Sequence, residues 1–155
     1  KLKQNSLELS LINRLHQKTI DNFKLFCKKW RFSVLIYFVN PQPFSKWAAS
    51  EGISNDDLRG ALTEIVGGLI DAELGGGVIK KRVGVANRGK SSGARTILAY
   101  KSGKHTFFMF GFLKNQADNI TPQELKALKA MAKEYFSYNQ SQIEKATKSG
   151  QLIEI

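Results

Sequence analysis

The run Gly75-Gly76-Gly77-Val78-Ile79-Lys80-Lys81-Arg82-Val83-Gly84-Val85 decides how this chain folds. Three glycines read as a flexible loop, and the β-branched residues after them read as a strand. Strand alternation sends Lys80 and Arg82 to one face and Lys81 to the other. Asn87 to Gly93 is rich in glycine, serine and charge, so it reads as a loop. Ala94 to Tyr100 has strand composition again. Lys101-Ser102-Gly103-Lys104 is a hairpin turn, and His105 to Leu113 is the third strand of an antiparallel meander.

Outward from this meander the pattern becomes helical. Thr121-Pro122-Gln123-Glu124 opens a helix: Thr121 as N-cap, Pro122 at the first position, Glu124 closing a capping box. Leu125, Leu128, Met131, Ala132, Tyr135 and Phe136 follow at helical spacing. Ser141 to Ser149 is a further helical piece, and residues 151–155 form a short terminal strand. Upstream, Ser54 opens a helix with Asp56 and Asp57 at the positive end of its dipole. Phe44 to Ser50 is a shorter helix carrying Trp47. Phe32 to Val39 is a strand, ended by Asn40-Pro41-Gln42-Pro43. Residues 5–29 keep rough helical spacing. The expected order, α, β, α, α, β, β, β, α, is an α+β fold in which a small antiparallel β-meander packs against helices.

Charge narrows the function. The 155 residues carry a formal net charge of +11. Nine Lys and Arg lie within residues 75–117: Lys80, Lys81, Arg82, Arg88, Lys90, Arg95, Lys101, Lys104 and Lys114, with no Asp or Glu among them. Residues 118–155 carry five basic and five acidic side chains. A positive field concentrated in this way points to a polyanion rather than to solubility alone. The single cysteine, Cys27, excludes an intramolecular disulfide and a Cys-rich zinc ribbon, and makes the cytoplasm the expected compartment. No apolar run approaches the ~20 residues that span a bilayer, so no membrane partner is expected.

No metal-ligand spacing, P-loop or nucleophile elbow occurs, and no cofactor is expected. His105 stands alone after a turn, and Ser91 and Ser92 have no histidine near them in sequence. The cations are more specific. Lys80 and Arg82 share a strand face, Arg95 lies on the next strand, and Lys90 stands between them. Such a set can converge on one phosphate. Without metal or carboxylate it can still promote RNA cleavage, because the ribose 2′-OH is an internal nucleophile. The protein orients that hydroxyl, neutralises charge in the transition state and helps move two protons. Arginine suits the second task through its bidentate fork. A lysine crowded by other cations suits the third.

These same residues carry a resemblance. Gly76 to Val83, Gly89-Lys90-Ser91-Ser92-Gly93-Ala94-Arg95-Thr96, and Phe107 to Asn115 resemble the core of the RelE/HigB-type toxins of bacterial type II toxin–antitoxin modules. The resemblance runs from about Phe44 to Ile155 and takes in Gly68 to Gly75 and Leu152 to Ile155. It implies a compact RelE/ParE toxin-like fold and a metal-independent endoribonuclease, or mRNA interferase, that cleaves mRNA on the ribosome and so inhibits translation. It also implies a cognate antitoxin of helix-turn-helix type. By position it implies active-site basic residues at Lys80, Arg82, Lys90 and Arg95, with Lys114 near them. Taken with the charge pattern, Lys80, Arg82 and Arg95 are expected to be catalytic, and Lys81, Arg88, Lys90, Lys101 and Lys114 to bind RNA. Phe110 stands where the pattern has tyrosine, and Gln116 where it has glutamate. Residues 1–31 lie outside the resemblance, as an N-terminal helical extension to a toxin domain at 32–155. They are either part of the protein or upstream sequence read through from a misplaced start. Two other readings remain open: a ParE-like gyrase inhibitor of the same fold, or a simple nucleic-acid-binding module.

Overall fold

The computed structural model describes residues 36–39, 44–85 and 89–155, with backbone alone at 36–39 and 89–92. All of these fall in Leu35–Ile155, the second of two units into which the chain divides. The helix expected over 5–29, the extension at 1–31 and the start of the strand expected from Phe32 lie outside the described residues.

The two best-signalled helices begin where their caps dictate. In the short helix α1, Phe44–Ser50, Phe44 and Ala48 are buried. Helix α2, Asn55–Val66, is capped by Ser54, whose hydroxyl accepts from the Asp57 N–H at 3.2 Å. The Asp57 carboxylate accepts in return from the Ser54 N–H at 2.8 Å. Thr121 and Glu124 repeat this box at the start of α3, Pro122–Ser137, with Pro122 at its first position. Asn139 and Gln142 form a third box ahead of α4, Gln140–Lys148. Each cap contributes about 0.5–2 kcal/mol.

Six strands form one sheet: β1 Ile36–Val39, β2 Ala72–Gly75, β3 Val78–Val85, β4 Gly89–Ala99, β5 Thr106–Leu113 and β6 Leu152–Glu154. Their order is β2-β3-β4-β5-β1-β6. Strands β2 to β5 are an antiparallel meander; β1 joins β5 in parallel and pairs antiparallel with β6. The meander is longer than the sequence reading expected. Gly76 and Gly77 are a two-residue hairpin turn that folds β2 back onto β3, with Gly75 ending β2 and all three glycines at positive φ. The glycine- and serine-rich stretch expected as a loop is strand from Gly89 on, because Gly89 still pairs with Val85.

Helices cover both faces. On one face Val78, Ile97, Ala99 and Phe107 form a core cluster with Leu128 and Ala132 of α3 and Ile143 and Ala146 of α4. Gly77 lets α3 come this close: a Cβ there would sit 2.5 Å from the Phe136 ring. On the other face Phe44 stacks on Phe108 at 5.6 Å, and the Trp47 ring lies over Gly111.

Candidate nucleic-acid interface

Register builds the site. Strands β3 and β4 pair Arg82 directly with Arg95, and Lys80 with Ile97. Directly opposite residues project from the same face, with Cα atoms about 4.5–5.5 Å apart. Lys80, Arg82 and Arg95 therefore stand on the face that carries α3 and α4. The Arg82 side chain is half exposed, and Arg95 is partly buried. Arg95 reaches the Gly93 carbonyl from Nη1 at 3.4 Å, a long contact that leaves its other donors uncommitted to it.

The other cations divide by position. Lys114 is exposed and follows Leu113, which pairs with Ala94, so it lies at the same end of the sheet as Arg95. Lys101 and Lys104 are exposed in the turn between β4 and β5. Six residues of extended chain, roughly 20 Å, separate Lys101 from Arg95, so it does not join the arginine pair. Arg88 lies outside the described residues, as does the side chain of Lys90.

Lys81, expected among the RNA-binding cations, is placed elsewhere. It points to the opposite face and is only 5 % exposed. Its ammonium donates to Glu64 Oε2 and to the Leu69 carbonyl, both at 2.7 Å, and lies 3.9 Å from Asp71 Oδ2. A buried ammonium has to be paired, and this one is.

Asp71 is the residue the charge reading missed. It lies just outside the carboxylate-free stretch, where β2 begins. Its Oδ1 accepts from Arg82 Nε at 2.6 Å and its Oδ2 from the Arg82 backbone N–H at 2.7 Å. Partial burial pushes its carboxyl up, but the Arg82 hydrogen bonds and the charges of Arg82 and Lys81 outweigh this and hold it below the usual carboxylate value. The available signal was the polar–apolar alternation of Asp71-Ala72-Glu73-Leu74, a strand pattern that the glycine loop obscured.

The two departures from the toxin pattern are also visible. Phe110 pairs with Ile97 and packs against the core cluster, one step along the same face from Phe112, which pairs with Arg95. Gln116 is exposed in the turn after β5. Among the described residues no group of His, Cys, Asp and Glu is placed to hold a metal ion. Nor is any helix among them long and apolar enough to cross a membrane.

Cations displayed on a twisted antiparallel sheet, flanked by helices on both faces, are a surface on which a phosphodiester can be held. No curated protein matches the chain. A family model described as the RelE toxin of the RelE/RelB toxin–antitoxin system matches residues 38–155, the whole of the meander, the flanking helices and the terminal strand. The chain belongs to this family of toxins, and membership implies an antitoxin partner.

Proposed function

We propose that this toxin is an endoribonuclease that cleaves mRNA on the ribosome, with Arg82 and Arg95 as its phosphate clamp. The observation that carries the reading is their direct pairing across β3 and β4. Two guanidiniums rising from adjacent roots can each offer a fork to the non-bridging oxygens of one phosphate. In the reaction the 2′-oxygen bonds to phosphorus, the bond to the 5′-oxygen breaks, one proton leaves the 2′-OH and one arrives on the 5′-oxygen. Negative charge grows on the non-bridging oxygens in between, and preorganised cations stabilise it most where water is displaced. Lys80, two residues from Arg82 on the same face, is the group suited to proton transfer. Lys114, with Lys90 and Arg88, would hold the RNA backbone; Lys101 would meet it only farther along the sheet. Lys81 has no part in RNA contact in this reading. The antitoxin would be of helix-turn-helix type, as in the HigB branch, and the site of action the cytoplasm.

Induction of the chain without its antitoxin tests the proposal. Translation should stop before DNA synthesis, and mRNA recovered from ribosomes should carry new 5′-hydroxyl ends. Intact mRNA with DNA breaks would instead identify a gyrase poison. Intact mRNA bound with a steep salt dependence would identify a binding module.

A further inference from the structure

Behind the arginine pair runs a chain of ionic contacts that phosphate binding itself does not use. Glu64, near the end of α2, meets the Lys81 ammonium at 2.7 Å. That ammonium also takes the carbonyl of Leu69, whose own side chain is exposed, and lies near Asp71. Asp71 in turn grips Arg82 at two points. The connected residues come from α2, the α2–β2 linker and β3. The linker includes Gly68 at positive φ, so its path depends on what holds it. Strand β2 starts at Ala72, opposite Lys80. The Arg82 N–H therefore points past the end of β2, and the Asp71 carboxylate takes the place of the missing strand partner.

We propose that Asp71 is a positioning residue for Arg82 and that buried Lys81 is the anchor that keeps Asp71 in place. This rests on the reading of Arg82 as a phosphate ligand. A guanidinium has five N–H donors in a rigid planar fork. Asp71 occupies the Nε side and, through the backbone N–H, also fixes the root of the same side chain. Among the described residues no hydrogen bond is made from its Nη atoms, and the side chain is half exposed, so that end is left to supply two donors to one anion. Asp71 therefore orders an otherwise flexible side chain before substrate arrives. It also places a negative charge beside the phosphate site, which opposes RNA binding. Orientation and charge act in opposite directions on rate and affinity, and this separates a positioning role from a structural one.

The experiment compares the full chain with Asp71→Ala, Asp71→Asn and Arg82→Ala, reading single-turnover cleavage, RNA affinity and melting temperature. Misplacing a reacting group by about an ångström can cost ~10²-fold. Asp71→Ala should therefore cleave about 10- to 100-fold more slowly, with RNA bound as tightly as by wild type or more tightly. Asp71→Asn keeps an acceptor for the backbone N–H and should lose less. Asp71→Ala cleaving at the wild-type rate while Arg82→Ala is crippled would overturn the positioning role alone. Arg82→Ala cleaving at the wild-type rate would overturn the phosphate reading and the positioning role with it. Rate, affinity and melting temperature falling together in Asp71→Ala would make Asp71 a structural residue and also overturn the proposal.

Discussion

Arg82 stands directly opposite Arg95 in the β3–β4 register, and Asp71 is bonded to Arg82. Like charges in direct cross-strand positions oppose each other, and changes to such a pair are worth about 0.2–1 kcal/mol. Asp71 relieves part of this at Arg82, and a bound polyanion would relieve the remainder. A sheet that retains such a pair gives up some stability for charge density on one face.

Arg95→Thr removes the repulsion and installs a residue suited to a strand. The variant should be as stable as wild type or more stable, by up to about 1 kcal/mol in urea unfolding, while cleavage falls. A loss of more than that amount would show that Arg95 supports the fold.

Lys81 and Lys114 differ in environment although both are lysines of the basic segment. Lys81→Ala takes from Glu64 its ammonium partner and from Asp71 the second of its two cations, Arg82 remaining. Breaking a buried pair costs ~3–5 kcal/mol, and partial exposure of the two carboxylates lowers this to about 2–4 kcal/mol. Lys114→Ala should leave stability within about 0.5 kcal/mol and reduce the salt dependence of RNA binding by about one phosphate contact. Chemical unfolding and a salt titration check both halves, and a reversed pattern would mean that Lys81 reaches RNA.

A Cβ on Gly111 would clash with the Trp47 ring. Gly111→Ala must displace the indole or bend β5, and overpacking of this kind costs about 1–3 kcal/mol. Pairing it with Trp47→Leu should recover much of the loss, because the clash needs both groups. Strict additivity in the double-mutant cycle would show that the ring does not oppose the substitution.

Burial pushes the Tyr135 hydroxyl up to about 12, helped by Tyr138 and Glu134 beside it. The folded state thus favours the neutral phenol more than the unfolded state does. The stability this confers is whole below the ordinary value of about 10 and is lost as pH rises toward about 12. In tyrosinate absorbance the late step should disappear in Tyr135→Phe. Its persistence would assign it to another tyrosine.

Much of the fold was legible because local chemistry and tertiary packing agree. Ser54 and Thr121 mark helix starts by hydrogen bonds made within four residues of chain, and Pro122 by its fixed φ. The alternation of Val78 to Val85 likewise separates Lys80 and Arg82 from Lys81. Strand β2 was hard to read: it is four residues long, its alternation rests on Asp71 and Glu73 alone, and it runs straight into glycines, so its pairing with β3 does most to make it a strand. The order of β1 in the sheet was equally hidden, since a parallel partner far along the chain leaves no local signal. At the site, charge counting found the cations but could not tell a surface lysine from one buried against Glu64. It also stopped short of Asp71, which meets Arg82 only because β2 folds back.

Arg82 and Arg95 either act on the transition state or merely dock RNA. Single-turnover cleavage of ribosome-bound mRNA by wild type, Arg82→Ala, Arg82→Lys, Arg95→Ala and Lys101→Ala decides it. Losing one oriented donor costs about 10²–10³ in rate. Arg82→Ala and Arg95→Ala should show losses of that order with little change in affinity. Arg82→Lys keeps the charge but loses the planar fork, so it should be nearly as slow as Arg82→Ala. Lys101→Ala, at the far end of the sheet, should lose only a salt-dependent share of binding. If all four variants lose rate and affinity in equal proportion, the arginine pair is a docking patch and the catalytic assignment is wrong.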